Sequence, residues 1–166
     1  MGKQKSKKGQ NKLPIVLVVD DDEQNVELLQ AYLDDMDCAT LPAYDGPQAL
    51  QMIADKSPDL VLLDVMMPKM SGFEVCKRIK NDPKTSDIPV IMVTALNEFG
   101  DIERGIDSGT DDFISKPVHK LELVTRVKTM LKLKHLTDKL ERTLAYLSEI
   151  ERHAQMAKAE SEKDEK

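Results

Sequence analysis

The sequence predicts an α/β fold, a five-stranded parallel sheet with helices on both faces, and three observations point to it. Three short apolar runs lack polar alternation, 15–19 (IVLVV), 59–63 (DLVLL) and 89–95 (PVIMVTA), and read as strands buried on both faces. Segments with apolar residues at helical spacing lie between them. Strand and helix alternate five times, the order that crossover helices impose on parallel strands, and right-handed crossovers leave few topologies.

Taken in chain order, residues 1–12 (MGKQKSKKGQNK) carry five lysines and no acid and read as a disordered basic tail. The opening MGKQKS matches the short N-myristoylation pattern, which is common by chance. After the strand at 15–19, a helix over 23–35 places Val26, Leu29, Ala31 and Leu33 near one face. The second strand, 38–44 (CATLPAY), contains Pro42, which cannot donate to a ladder, so it belongs on a sheet edge. Pro47 suits the first position of a helix over 47–55 that gathers Ala49, Leu50 and Ile53. Residues 73–80 do the same with Phe73, Val75, Cys76 and Ile79. A short polar helix over 98–108 carries Ile102 and Ile106, with Gly105 and Gly109 blurring its limits, before a fifth strand at 111–115 (DDFIS).

From His119 onward neither strand signal nor proline occurs. A helix from 119 to about 155 would be about 50 Å long, more than twice what closing a domain requires. Leu133, Leu136, Leu140, Leu147 and Ile150 fall on heptad positions a and d, with Thr143 the polar exception. The expectation is a parallel coiled coil that makes a homodimer through the C-terminal helix, over 126–155; a tail that folds back or stays disordered is the alternative. Residues 156–166 are polar and read as disordered.

Composition excludes several functions. The 166 residues have room for one domain and an appendage. A net charge of −6 argues against a nonspecific polyanion binder, and an aromatic share of 4% without Trp argues against stacking platforms. Cys38 and Cys76 have no CxxC partner and read as buried thiols in a reducing compartment, hence a cytoplasmic location. No apolar run is long enough for a membrane span or a signal-peptide core. Glycine-rich phosphate loops and nucleophile elbows are absent. A calcium loop counted from Asp20 fails, because its sixth position is Asn25 and its twelfth is Ala31. His119, His135 and His153 follow all the strands and share no evident site.

Ligands of open parallel sheets bind beyond the carboxyl ends of the strands. Asp20 and Asp21 end the first strand, Asp64 the third and Thr94 the fourth, while Lys116 follows the fifth. Carboxylates brought together repel unless a cation compensates them, and hard oxygen ligands suit Mg²⁺. An aspartate held by Mg²⁺ can attack a phosphoryl donor and form an acyl phosphate, with Lys116 and the Thr94 hydroxyl stabilising the transferred group. Asp22 suits the cap of the next helix.

LVVDDDEQN, LLDVMMPKMSG, VTA and DDFISKP, in that order and spacing, resemble the receiver (response regulator) domain of two-component signalling, over roughly residues 13–125. The resemblance implies a doubly wound, flavodoxin-like sheet of order 2-1-3-4-5. It implies Asp64 as phosphoacceptor, Asp20 and Asp21 as the acidic pair that holds Mg²⁺ with Asp64, and the backbone carbonyl of Met66 as a further metal ligand. Thr94 would hydrogen-bond the phosphoryl group, Lys116 would pair with it, and Lys116–Pro117 would be cis. Phe113 occupies the aromatic switch position without a phenolic hydroxyl, so switching would rely on packing. Met66 and Leu96 are apolar and are expected to shield the acyl phosphate from water. The implied partner is a histidine kinase or a histidine phosphotransfer protein, and the chain would catalyse only its own phosphorylation and dephosphorylation. No room remains for a helix-turn-helix module, so no direct nucleic-acid binding is expected. The stretch RVKTMLKLKHLTDKLE resembles linkers to cyclic-dinucleotide enzymes or kinases, which makes a fragment of a larger regulator one alternative. A small Mg²⁺-dependent phosphatase is another, although it would usually carry an Asp where this chain has Met66.

Overall fold

The computed structural model describes residues 12–95 and 99–164. The basic tail and its myristoylation pattern, like Leu96, therefore fall outside the described residues, apart from Lys12. Five strands, β1 (Ile15–Val19), β2 (Ala39–Ala43), β3 (Leu60–Leu63), β4 (Val90–Thr94) and β5 (Asp112–Ser115), form one sheet in the order β2-β1-β3-β4-β5. Every pairing is parallel. Five helices connect and follow them: α1 (Glu23–Leu33), α2 (Gly46–Lys56), α3 (Gly72–Asn81), α4 (Phe99–Ser108) and α5 (Lys120–Asp164).

Successive strand residues point to opposite faces, and the sheet accordingly divides the core in two. Leu17, Val19, Val61, Leu63 and Met92 pack with Ala49 and Ile53 of α2 and with Val75, Cys76 and Ile79 of α3. Val16, Val18, Leu60, Leu62, Ile91 and Val93 pack with Val26, Leu29 and Leu33 of α1 and with Leu123 and Val127 of α5. Because both faces are covered, the unalternating apolar runs are the strands. Pro42 does lie on the edge strand, opposite Val18.

Side-chain caps start three of the helices. Asp22 accepts from the Gln24 backbone N–H, Asp45 from that of Gln48, and Ser71 from that of Glu74. Two details of the sequence reading change. Ala31 is exposed and the buried face of α1 is Val26, Leu29 and Leu33, flanked by Tyr32 and Met36; residue 31 lies about 200° round the helix from Leu29. The last helix continues past 155 to Asp164, because Met156, Ala157, Lys158, Ala159 and Glu160 are all good helix formers with no Gly or Pro to stop them. At 1.5 Å per residue it is about 68 Å long. Its first turns pack on the sheet, and from Leu133 onward most of its apolar side chains are exposed.

Gly72 fixes the entry of α3 beneath the end of β3. Its N–H donates to the Val65 carbonyl at 2.9 Å, and a Cβ there would lie 2.2 Å from the Asp64 carbonyl oxygen and 2.8 Å from Val65 Cα. Both are main-chain atoms that cannot swing aside. Gly72→Ala should cost about 1–3 kcal/mol of stability through overpacking, measured by urea unfolding; an unchanged midpoint would show that the loop yields.

Candidate functional site

The parallel register builds the site. Val19 lies opposite Leu63, so the residues that follow them, Asp20 and Asp64, leave adjacent strands side by side. The Asp64 N–H donates to the Val19 carbonyl at 2.9 Å, and the Asp20 N–H to that of Ala43 at 3.2 Å. Both carboxylates are buried, Asp20 to 1% exposure and Asp64 to 5%, whereas Asp21 is exposed. One oxygen from each of the three lies within 4.8 Å of the others.

Lys116 reaches this cluster from the end of β5, where Thr94 pairs with Ser115. Its ammonium donates to Asp20 Oδ2 at 2.8 Å and to Asp64 Oδ1 at 3.4 Å. The other Asp20 oxygen accepts from the Asp22 N–H at 2.9 Å and from Asn25 Nδ2 at 3.4 Å. Thr94 is 2% exposed, and its hydroxyl has no hydrogen-bond partner among the described residues. A buried hydroxyl without a partner costs free energy, and such an atom at the carboxyl edge of a sheet is suited to meet a polar ligand.

Charge does not balance within the cluster, which sets three carboxylates against one ammonium. Burial first, and then the neighbouring Asp20 charge, push the Asp64 carboxyl up to about 6, with Lys116 opposing the shift. Burial pulls the Lys116 ammonium downward, but the hydrogen bond it donates to Asp20 and the charges of Asp64 and Asp20 leave it above its ordinary range. The donor set fits a hard divalent cation such as Mg²⁺: oxygen ligands, excess negative charge and convergence within a few ångströms. Asp20, Asp21 and Asp64 would hold it.

The structure thus brings Asp20, Asp21, Asp64 and Lys116 together, and leaves Thr94 buried at the end of the neighbouring strand. The Lys116–Pro117 peptide is cis. The Met66 side chain, in the loop after β3, is 74% exposed. Phe113 is half-buried and packs against the core shared with α2 and α3. Sequence reading overlooked three contributors. Asn25 holds Asp20, and its place five residues later in the first turn of α1 was the available signal. Gly72 supports the Asp64 main chain. Gly105 makes room for the Phe113 ring, since a Cβ there would fall 2.3 Å from Cζ; only the folded approach of α4 to β5 reveals that.

A family profile for the response regulator receiver domain matches residues 16–128. Response regulator PleD of Caulobacter vibrioides is 47% identical over 125 residues, which span 75% of this chain and 28% of PleD. The DNA-binding dual master transcriptional regulator RpaA of Synechocystis is 38% identical over 120 residues, 72% of this chain and 50% of that protein. The chain therefore spans between about a quarter and a half of these relatives. Among solved structures, the receiver domain of a signal transduction histidine kinase from Syntrophus aciditrophicus superposes with a TM-score of 0.68 at 34% identity, covering 72% of this chain and 90% of that one. A two-component response regulator from Clostridium difficile does so with a TM-score of 0.67 at 28% identity, covering 72% and 96%.

The raised Asp64 pKa has a stability consequence in the metal-free protein. A carboxyl whose folded pKa lies above its unfolded value of 3.8 favours folding below about pH 4, and that contribution is lost as pH rises through about 6. The loss is on the order of 3 kcal/mol. Asp64→Asn should therefore stabilise the metal-free protein at neutral pH by up to about that amount, and the gain should vanish near pH 4. Urea unfolding with a chelator at both pH values measures it; destabilisation at neutral pH would contradict the assignment of Asp64 as the strained member.

Proposed function

The chain belongs to the response regulator receiver family, and on that premise we propose that Asp64 accepts a phosphoryl group from a partner histidine kinase or histidine phosphotransfer protein. The observation that carries the reading is the convergence of the three aspartates, two of them held by Lys116, at the sheet edge where β4 ends in Thr94, whose hydroxyl has no partner among the described residues. With its pKa at about 6, Asp64 is mostly ionised at neutral pH and is the nucleophile. Its oxygen forms the new O–P bond while the P–N bond of the phosphohistidine breaks, and the electron pair leaves with the imidazole. Mg²⁺, when bound, neutralises charge on the transferring oxygens. Lys116 gives up its contact with Asp64 to pair with a phosphoryl oxygen, and the Thr94 hydroxyl donates to another. Water later attacks the acyl phosphate, so the chain catalyses only its own phosphorylation and dephosphorylation.

Phosphorylation then biases a two-state element made of Thr94, Phe113 and the adjoining helix faces. Phe113 has no hydroxyl, so the bias acts through packing. The alternative of an aspartyl-phosphate phosphatase is not adopted, because Met66 stands where its second acid would be. Output belongs to whatever α5 engages or leads into. No helix among the described residues is long and apolar enough to cross a membrane.

Incubation with acetyl phosphate and Mg²⁺ should add the mass of one phosphoryl group to the intact protein. Asp64→Asn or removal of Mg²⁺ should abolish the addition; labelling that survives Asp64→Asn would place the acceptor elsewhere. Replacing Met66 by Glu or Asn should shorten the phosphate lifetime several-fold, followed by the decay of labelled protein, and an unchanged lifetime would refute the shielding role of this side chain.

A further inference from the structure

α5 has two faces with different tasks. Leu123, Val127, Met130 and Leu131 turn toward the receiver core, and Lys134 extends that face with ion pairs to Asp87 at 2.6 Å and Asp138 at 2.7 Å. Leu133, Leu136, Leu140, Leu147 and Ile150 are 46–59% exposed. At 100° per residue this stripe lies roughly 150° round the axis from the receiver-facing side. It points away from its own domain, and the unbroken helix from Lys120 to Asp164 prevents it from folding back.

The stripe has the composition of a seam. Between 133 and 157 no a or d position carries a charge, while Lys134, His135, Asp138, Glu141, Arg142, Glu149 and Arg152 all lie at b, c or f. Leu144, at an e position and also exposed, widens it. These six apolar side chains expose on the order of 600 Å² per copy, so pairing two copies would remove on the order of 1,200 Å², the lower end of a stable interface.

We propose that a second copy of this chain covers the stripe, in a parallel, in-register, two-stranded coiled coil that carries both receivers at the same end. The proposal is independent of the phosphoryl chemistry. Thr143 selects the register. Aligned in parallel, Thr143 meets its own counterpart in one layer and every other layer from 133 to 150 pairs like apolar residues. An antiparallel pairing of the same stripe sets Thr143 against Leu140 in two layers. The Thr143 hydroxyl already donates to the Lys139 carbonyl at 2.9 Å, so it enters the seam satisfied. Leu133, Leu140 and Leu147 at a positions with Ile150 at d are compatible with larger bundles, but Lys132 and Lys139 at g positions flank the seam and would be buried in a three- or four-stranded one, and that desolvation cost tips the balance to two strands.

Sedimentation equilibrium of the full chain at tens of micromolar tests the proposal. Wild type should have twice the 18.7 kDa chain mass. Leu140→Lys combined with Leu147→Lys should run as a single chain with the receiver unfolding transition unchanged, because neither side chain is part of the receiver core, and Glu149→Lys, off the seam, should remain a dimer. Thr143→Cys in a Cys38→Ser background should form an interchain disulfide on oxidation. A single-chain mass for wild type, a four-chain mass, a dimer that survives the double lysine change, or no disulfide at position 143 would overturn it.

Discussion

The structure depends on two buried carboxylates placed side by side at the end of a parallel sheet. Register makes this unavoidable: once Val19 pairs with Leu63, Asp20 and Asp64 emerge together, both nearly inaccessible to water. Burying like charges is costly unless opposite charge or donors are near. Lys116 supplies one charge, the Asp22 N–H and Asn25 supply donors to Asp20, and a negative excess still remains. That excess favours a divalent cation, whose charge would in turn offset that of an incoming phosphoryl group, so the unfavourable electrostatics and the proposed chemistry share one origin.

The same arrangement joins the site to the rest of the molecule. Lys116 is only four residues before the start of α5, and Arg126 of α5 pairs with Asp112 of β5 at 2.8 Å and with Glu122 at 3.1 Å. Phe113 follows Asp112 on that strand, with its ring against Gly105 of α4. A movement of Lys116 toward a new anion would therefore act on short, tightly packed connections on which both last helices lean. Such packed contacts tend to have discrete arrangements rather than a continuum.

Much of this was legible in the sequence because the signals were local. IVLVV, LVLL and VIMVT are buried on both faces, and apolar runs without alternation say so directly. Asp20, Asp64 and Thr94 stand where such runs end, and the edge position of β2 could be read from Pro42. What was illegible depends on tertiary approach. Nothing local shows that Lys116 rests on Asp20 more closely than on Asp64, that Gly72 lies against the Asp64 carbonyl, or that Gly105 accepts the ring of Phe113. Ala31 does not reveal the buried face of α1, because a small apolar residue tolerates either side, and the end of α5 is masked because polar composition suggests disorder where helix propensity prevails.

The most direct test of the central account is a calorimetric titration of Mg²⁺ into the protein between about pH 5 and pH 8. Because Asp64 titrates near 6 and a metal must displace its proton, the account predicts that apparent affinity falls as pH drops below that value, that binding releases protons there, and that Asp20→Asn abolishes uptake. Mg²⁺ binding that is independent of pH over this range and survives Asp20→Asn would mean that the buried carboxylates are not the metal site.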